Sequence, residues 1–411
     1  MNVENLQNTY PQLVDFMYAA GYSKNYVQVV KQVLKFILSK SEQWQSYDEI
    51  LDYYKKAAIS GKDFSKKKAI LNLIASFDCY GAFPGAKNKT IYFQKSSSYD
   101  YLNPEFKSLI DYYNANADQA LKKETTIRNE CWNTSSFLLA LQKAGYNSLT
   151  EITEDAILHV LTDDSGYPAK SASYVMQIIA VFRGAIKWSQ ECQRILLCIP
   201  VIRKHRKNIQ YLEPHERTKV KSALKDVDNT LSQRNRAIGC LLYFTGIRCC
   251  DISNLTLSDI DWDKDELFID QQKTDVPLKL PMTAIIGNAI YNYITQERKT
   301  SDEPYIFLSY NYPYGKLKPG SIGVIADQIY KNAEIRQNPN DRRGGHLFRH
   351  NFATSMLENG APRAVISRIL GHTSPASTEA YLSADMIHLK ECSLSIEAFP
   401  VREGVFCSER I

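Results

Sequence analysis

A small set of histidines, arginines and one tyrosine in the last third of the chain constrains its fold more than any other feature. Residues 346–350 read His-Leu-Phe-Arg-His, residues 370–372 read Leu-Gly-His, and Tyr381 follows. Upstream, residues 245–248 read Thr-Gly-Ile-Arg, and Lys273 lies between the two regions. A fold that uses these groups together must bring segments that are distant in the chain to one place.

This combination of side chains suits metal-free attack on a phosphodiester. Arginines neutralise the non-bridging oxygens, the phenol is the nucleophile, and the lysine and histidines manage protons. The positive field of two arginines should also lower the pKa of the phenol. Each element is weak alone, because Thr-Gly-Ile-Arg is usually a structural turn and Tyr381 is one of 26 tyrosines. The conjunction is what points to this chemistry.

The order of these residues resembles that of the tyrosine recombinase (phage-integrase) family, which includes the integrases of phages and mobile elements. Its pattern is Arg, Lys, His-x-x-Arg, His or Trp, and Tyr, and every position is filled here. The surrounding segments, residues 245–255, 348–354 and 370–372, match as well. The resemblance covers about residues 205–395 strongly and the rest by architecture.

The resemblance implies a site-specific DNA recombinase or integrase that needs neither metal nor cofactor. Tyr381 would attack a DNA phosphate and form a 3′-phosphotyrosyl link, and Lys273 would protonate the expelled 5′-oxygen. His372 would donate to a phosphate oxygen, and His346 would assist proton movement at the tyrosine. The expected catalytic residues are Arg248, Lys273, His346, Arg349, His372 and Tyr381. From its position, Asp251 is expected to orient Arg248. His350 lies beside the motif and is interpreted as a structural residue or as one that supports the catalytic residues.

Two alternatives use related features of the sequence. A type IB-like topoisomerase has a similar set of groups, but the chain size, the Gly371-His372 context and two preceding helical blocks favour a recombinase. A non-cutting DNA-binding regulator derived from a recombinase should have lost at least one member of the set. The partners implied by the resemblance are double-stranded DNA, further copies of the chain in a homo-oligomer (a tetramer), and DNA-bending helper proteins.

The predicted fold is mainly α with a small β-sheet: helical DNA-binding domains precede an α+β tyrosine-recombinase catalytic domain. The expected domains are an N-terminal helical domain at 1–90 for arm-type or accessory DNA binding, a helical core-type DNA-binding domain at 100–200, the catalytic domain at 208–395, and a tail at 396–411 that docks on a neighbouring copy or folds back. The helical pattern of the first domain covers 12–80, and residues 81–103 read as a linker. The two helical blocks indicate either a diverged duplication or convergent patterning.

Local signals refine the catalytic region. Alternating apolar residues predict strands at 267–270 and 276–280, which form a hairpin with Lys273 at its tip. Residues 235–244 and 251–257 are predicted to be helical. A further helix should begin near His346, and the next should bury Val365, Ile366, Ile369 and Leu370 before ending at Gly371.

Composition sets broad limits. Hydrophobic residues make up 44% and charged residues 23%, which is typical of a folded globular chain. The net charge of +5 is compatible with nucleic-acid binding. The basic segment 203–207 is either a phosphate contact or a merely solvated linker, and its position between the helical and catalytic blocks favours the phosphate contact. Nine cysteines without ligand-like spacing predict a reducing compartment and no zinc site. Because neither a leader nor a membrane span is recognisable, we expect a cytoplasmic protein.

Overall fold

The computed structural model describes most of the chain. The described residues are 1–85, 91–93, 96–118, 121–163, 165–202, 209–225, 231–274, 277–312, 314–336, 338, 341–372, 376–379 and 381–382, with only the backbone given for 376 and 377. The basic segment 203–207 and the tail after Leu382 lie outside this set. The chain divides into two compact units, Met1–Tyr92 with Asn208–Ile411, and Phe93–Lys207.

Four helices form the N-terminal part of the first unit: α1 (Val3–Ala19), α2 (Lys24–Ser39), α3 (Tyr47–Ala57) and α4 (Gly61–Tyr80). Serines begin the last three: Ser23, Ser46 and Ser60 each accept a hydrogen bond from the backbone N–H three residues later, which satisfies a donor that the helix leaves unpaired. The helical prediction is confirmed, although α1 begins at Val3 and not near residue 12.

The second unit is a helical bundle. Its helices are α5 (Pro104–Asn116), α6 (Glu124–Lys143), α7 (Glu154–Leu161), α8 (Ala172–Gly184) and α9 (Glu191–Cys198). Phe106, Phe137 and Phe182 are fully buried in its core. The carboxylate of Glu130 is also buried but paired, because Lys122 and the Tyr113 hydroxyl both donate to it.

The rest of the first unit mixes helices with one small sheet. Its elements are α10 (Pro214–Lys225), α11 (Gln233–Thr245), α12 (Cys249–Asn254), β1 (Ile260–Asp261), β2 (Glu266–Asp270), β3 (Pro277–Pro281), α13 (Ala284–Gln296), α14 (Pro319–Asn332), α15 (Gly345–Glu358), α16 (Arg363–Leu370) and α17 (Ala376–Glu379). Short 3₁₀ turns occur at Ser41–Gln43, Ser98–Tyr101, Leu149–Glu151 and Leu257–Asp259.

Helix α11 is the centre of this part and packs against α13, α14 and α15. It is buried on nearly every side, with Ile238, Leu241 and Leu242 at 0% exposure. Gly239 allows close approach of its neighbours, since a Cβ there would lie 2.5 Å from the Leu224 side chain. The residues that follow α11 are therefore held by a rigid element.

The sheet is antiparallel in the order β1-β2-β3. In the β2–β3 pair, Leu267 faces Leu280 and Ile269 faces Leu278, and all four side chains are buried, whereas Phe268 is on the exposed face. This alternation confirms the predicted hairpin. Residues 271–274, including Lys273, form the described part of its turn.

The predicted fold class is confirmed, and the differences are local. Strand β1 was not predicted, because two residues carry no periodic signal. Helix α12 runs from Cys249 to Asn254 and so begins and ends earlier than the predicted 251–257. Val365 is 43% exposed and not part of the core face of α16. Among the described residues, no helix is long and apolar enough to cross a membrane.

Candidate active site

The turn after α11 places Arg248. Helix α11 ends at Thr245 and is capped by Gly246, whose φ of +63° is the left-handed conformation that glycine adopts without steric cost. A Cβ at Gly246 would also lie 2.8 Å from the Phe352 ring. Arg248 directly precedes α12, and its guanidinium donates from Nη1 to Gln271 Oε1 (3.0 Å) and from Nη2 to the Gly371 carbonyl (3.3 Å).

Asp251 lies beside Arg248, as predicted. It is 1% exposed, and its Oδ2 is 4.0 Å from Arg248 Nη1. Its Oδ1 accepts a hydrogen bond from the backbone N–H of Gln272 (3.2 Å). One carboxylate therefore faces the arginine and at the same time holds the turn in which Lys273 lies.

Arg349 enters the same place from α15. It is only 5% exposed, and it donates from Nη1 to the Gly246 carbonyl (3.1 Å) and from Nη2 to the Leu370 carbonyl (2.6 Å). Burial and the charge of Arg248 lower the pKa of Arg349 to about 10, so it stays protonated at neutral pH. Both guanidiniums contact the Leu370–Gly371 backbone, which brings the two charges together.

The start of α15 is fastened to α14. Gly344, with φ of +70°, donates its N–H to Asp327 Oδ1 (2.8 Å), and its carbonyl accepts from the Tyr330 hydroxyl (3.0 Å). Gly345 lies so close to Cys249 that a Cβ would overlap the sulfur. Gly344 thus provides the left-handed conformation before α15, and Gly345 allows close packing where α15 passes the start of α12.

His372 emerges from the end of α16. Gly371 has φ of +61° and caps this helix, as predicted. The Nδ1 of His372 is 2.8 Å from the Thr378 hydroxyl, and its ring lies parallel to that of Tyr381 with centroids 6.2 Å apart. Burial, with the charges of Arg349 and Arg248, lowers the pKa of His372 to about 4, so this imidazole is neutral at neutral pH.

Tyr381 is 3% exposed and packs among Ala353, Leu357, Ile366 and Leu370. Burial raises the pKa of its phenol, and the charges of Arg349, Arg342 and Arg248 oppose this rise without cancelling it. The prediction that the arginines give the phenol a lowered pKa is therefore wrong in net direction. Their effect is present, but loss of solvent around the phenol is larger.

The Tyr381 hydroxyl is 3.1 Å from Nδ1 of His350, a residue interpreted from the sequence as structural or as supporting the catalytic residues. Burial, followed by the charges of Arg342, His346 and Arg349, lowers the pKa of His350 to about 3. A signal for this role was present in the sequence, because His346 and His350 are four residues apart and so share one face of α15. Their ring centroids are 6.4 Å apart.

Lys273 and Arg342 complete the electrostatic environment. Lys273 is exposed in the hairpin turn, and its charge contributes to the lowered pKa of both His346 and His372. For His346, burial is the largest cause and the charge of Arg342 is the next. Arg342, which is not among the residues predicted from the sequence, also acts on His350 and Tyr381.

The six predicted residues thus lie near one another. Four of them are connected by direct contacts or through the backbone that they share. His346 lies beside His350, and the charge of Lys273 acts on the histidines. Such a cluster of cations around a neutral phenol and neutral imidazoles suits an anionic substrate. Within the part of the chain that the structure describes, no group of three or more His, Cys, Asp or Glu side chains is placed to hold a metal ion.

Sequence comparisons identify relatives of this region. Residues 210–388 match the sequence profile of the phage integrase family. "Putative integrase/recombinase y4gC" of Sinorhizobium fredii is 33% identical over 163 residues, which are 40% of this chain and 83% of that protein. Tyrosine recombinase XerA of Pyrococcus furiosus is 35% identical over 159 residues, 38% of this chain and 53% of XerA. The match therefore spans about half the length of XerA.

Solved structures share the fold. The XerH site-specific recombinase bound to its difH substrate, in a pre-cleavage complex, aligns with a TM-score of 0.52 and 17% identity over 72% of this chain and 98% of XerH. Lambda integrase bound to DNA aligns with a TM-score of 0.51 and 17% identity over 71% of this chain and all of the compared lambda integrase chain. At this level of identity the likeness concerns architecture alone.

Proposed function

Because the chain belongs to the phage integrase family of tyrosine recombinases, we propose that it cuts and rejoins double-stranded DNA at specific sites through a 3′-phosphotyrosyl intermediate. The observation that carries the proposal is the Tyr381 hydroxyl, held 3.1 Å from His350 Nδ1 beside two buried or half-buried arginines. A buried phenol with a proton acceptor and a cationic surrounding has the arrangement of a nucleophile for a phosphodiester.

In the first step the Tyr381 oxygen attacks the phosphorus and the bond from phosphorus to the 5′-oxygen breaks. The phenolic proton passes to an imidazole, and His350 is in direct contact with it. Since burial keeps the phenol protonated, a nearby acceptor is needed as the attack proceeds. The family pattern gives His346 the role of assisting this proton transfer. Because His346 lies beside His350, it would assist by acting on His350.

Arg248 and Arg349 stabilise the charge that develops on the non-bridging oxygens. Each guanidinium has five N–H donors, and two of them bind Gln271 and Gly371 in Arg248, or Gly246 and Leu370 in Arg349. Arg349 also forms a hydrogen bond with the Tyr381 side chain, which places this guanidinium beside the proposed nucleophile. The neutral imidazole of His372 carries one N–H. When the Thr378 hydroxyl donates to Nδ1, that N–H is on Nε2, where it can donate to a phosphate oxygen.

Lys273 protonates the 5′-oxygen as it leaves. The ester conserves the energy of the broken bond, so the reverse attack by a 5′-hydroxyl restores Tyr381 and joins the DNA without ATP.

We further propose that residues 100–200 and 208–395 grip the duplex and that 1–90 is an accessory DNA-binding domain. Tetramers form on DNA through the tail 396–411, with DNA-bending helper proteins.

Trapping on a nicked suicide substrate tests the proposal. The wild-type chain should accumulate a covalent adduct, and Tyr381→Phe should bind the same DNA without forming one, because it lacks only the hydroxyl. Tyr291→Phe is a matched control, since Tyr291 is 57% exposed on α13, and it should react normally. An adduct with Tyr381→Phe would refute the assignment of the nucleophile.

Two other activities are separate outcomes of this experiment. If the wild-type chain bound DNA but formed no adduct, it would be a DNA-binding regulator. If it formed the adduct and relaxed supercoils but exchanged no strands between two sites, it would be a topoisomerase of the type IB kind.

A further inference from the structure

One buried amide connects three parts of the site. Gln271, directly after β2, is 1% exposed. Its Oε1 accepts hydrogen bonds from Arg248 Nη1 (3.0 Å) and from the Thr274 hydroxyl (2.8 Å), and its Nε2 donates to the Leu370 carbonyl (3.4 Å). A buried amide is stable only when its polar atoms are paired in this way.

Each partner of Gln271 belongs to a different functional segment. Arg248 is one of the two proposed phosphate-binding arginines, and Thr274 lies in the turn that carries Lys273. The Leu370 carbonyl is shared with Arg349 Nη2 and directly precedes the turn of His372. The packing leaves no slack, because a Cβ on Gly371 would overlap the Gln271 side chain.

We infer that Gln271 is a positioning residue, which fixes the Lys273 turn relative to Arg248 and so aligns protonation of the leaving 5′-oxygen with stabilisation of the phosphate. The inference rests on the proposed function. Lys273 itself is exposed, so its place depends on how its turn is fastened. Thr274 ties the turn to Gln271, and the Gln272 N–H ties it to Asp251.

A purely structural role would have a different signature. If Gln271 only stabilised the fold, its loss would lower the population of folded protein and slow every substrate by the same factor. If it positions Lys273, part of the loss should vanish when the leaving group needs no proton. A 5′-bridging sulfur provides that condition, because a thiolate leaves without protonation.

The experiment compares single-turnover adduct formation on nicked substrates with a 5′-bridging oxygen or a 5′-bridging sulfur. Gln271→Met keeps the side-chain length and removes the polar contacts, and should slow the oxygen substrate by about 10²-fold, the scale expected for misplaced catalytic groups. The sulfur substrate should recover part of this loss, while the part that reflects Arg248 remains. Gln296→Met, at the exposed end of α13, is the matched control and should react normally.

Thr274 provides a milder test if Gln271→Met does not fold. Thr274→Val removes the hydroxyl at nearly constant shape and should slow the oxygen substrate, with full recovery on sulfur. Thr274→Ser keeps the hydroxyl and should behave as the wild type. Equal slowing on both substrates, or no slowing in either Gln271→Met or Thr274→Val, would overturn the inference. A wild-type chain that formed no adduct at all would instead refute the proposed function.

Discussion

Arg349 is both a proposed phosphate ligand and a structural cross-link. Its guanidinium is buried and joins the carbonyl that follows α11 to the one that ends α16. Lysine cannot reproduce this geometry, because its single ammonium has no planar pair of nitrogens to reach both carbonyls. Arg248 is more accessible, with its side chain 13% exposed, and makes one bond to a side chain and one to backbone.

We therefore predict that Arg248→Lys and Arg349→Lys each slow adduct formation by roughly 10²-fold or more, as loss of a pre-organised donor does. Arg349→Lys should also lower the free energy of unfolding by about 1–3 kcal/mol, because it leaves a buried acceptor without a partner. Arg248→Lys should lower it less. Urea unfolding and single-turnover cleavage measure the two effects, and normal cleavage in both variants would refute the need for guanidinium groups.

The lowered pKa of His350 predicts how the stability of the fold depends on pH. Its pKa in the folded chain is about 3, against an ordinary value of 6.5, because it is buried among positive charges. Between these values the unfolded chain binds more protons than the folded one, so this group's contribution to stability is complete above about pH 6.5 and is lost as the pH falls toward 3. His372, with a pKa of about 4, acts in the same direction.

Changing His350 to a neutral side chain should weaken this pH dependence. We expect the urea midpoint of His350→Gln to fall less between pH 7 and pH 5 than that of the wild type, with about 1.4 kcal/mol at stake for each pKa unit. His215→Gln, at a side chain 67% exposed, should keep the wild-type dependence. Identical declines in the wild type and His350→Gln would show that His350 is not the source.

At the scale of elements, the end of α16 resembles the end of α11, because in both a glycine has a positive φ and is closely packed. Gly371 and Gly360 both have positive φ, +61° and +75°. A Cβ at Gly360 meets nothing within 4 Å, whereas one at Gly371 overlaps Gln271. Any L-residue in this conformation costs about 1–2 kcal/mol, so the pair separates the backbone effect from the steric one.

Gly360→Ala should therefore lose about 1–2 kcal/mol of unfolding free energy and cleave normally. Gly371→Ala should lose clearly more and should slow adduct formation as well, because Gln271 and its partner Arg248 must move. Thermal unfolding and the suicide-substrate assay measure both quantities. Equal stability losses in the two variants would contradict the close packing around Gly371.

Elements with a periodic or capping signal could be predicted from the sequence. Helix α11, the β2–β3 hairpin and the glycine at the end of α16 follow from local rules, and the family pattern named six residues that do converge. Gln271 could not be predicted in this way, because its role depends on contacts with residues 23 and 99 positions away. The direction of the pKa shift of Tyr381 could not be predicted either, because it depends on how deeply the phenol is buried by the packing around α15 and α16.

At the scale of the whole molecule, the binding of DNA phosphates is a prediction from the charge of the chain. The chain carries a net charge of +5. In the sequence, the basic segment 203–207 joins the helical and catalytic parts that are proposed to grip DNA. Each phosphate that a protein neutralises contributes about 0.9 to the slope of log affinity against log salt concentration.

Replacing Arg203, Lys204, Arg206 and Lys207 by glutamine should thus weaken binding to every duplex and reduce the salt slope by up to about 0.9 for each phosphate no longer neutralised. Titrations at several salt concentrations with cognate and unrelated duplexes measure the effect. Weakening restricted to one sequence would indicate base recognition instead of phosphate binding.

The long sequence separations within the site bear on how the chain is made. Arg248 contacts Gly371, 123 residues away, and Arg349 contacts Gly246, 103 residues away. Contacts between such distant residues form slowly in folding, and synthesis delivers the N-terminal parts first. Tyr381 is the last of the six residues to be translated, and its pocket needs α15 and α16 in place. The buried site of Tyr381 can therefore be completed only late in synthesis, after the other five residues have been made.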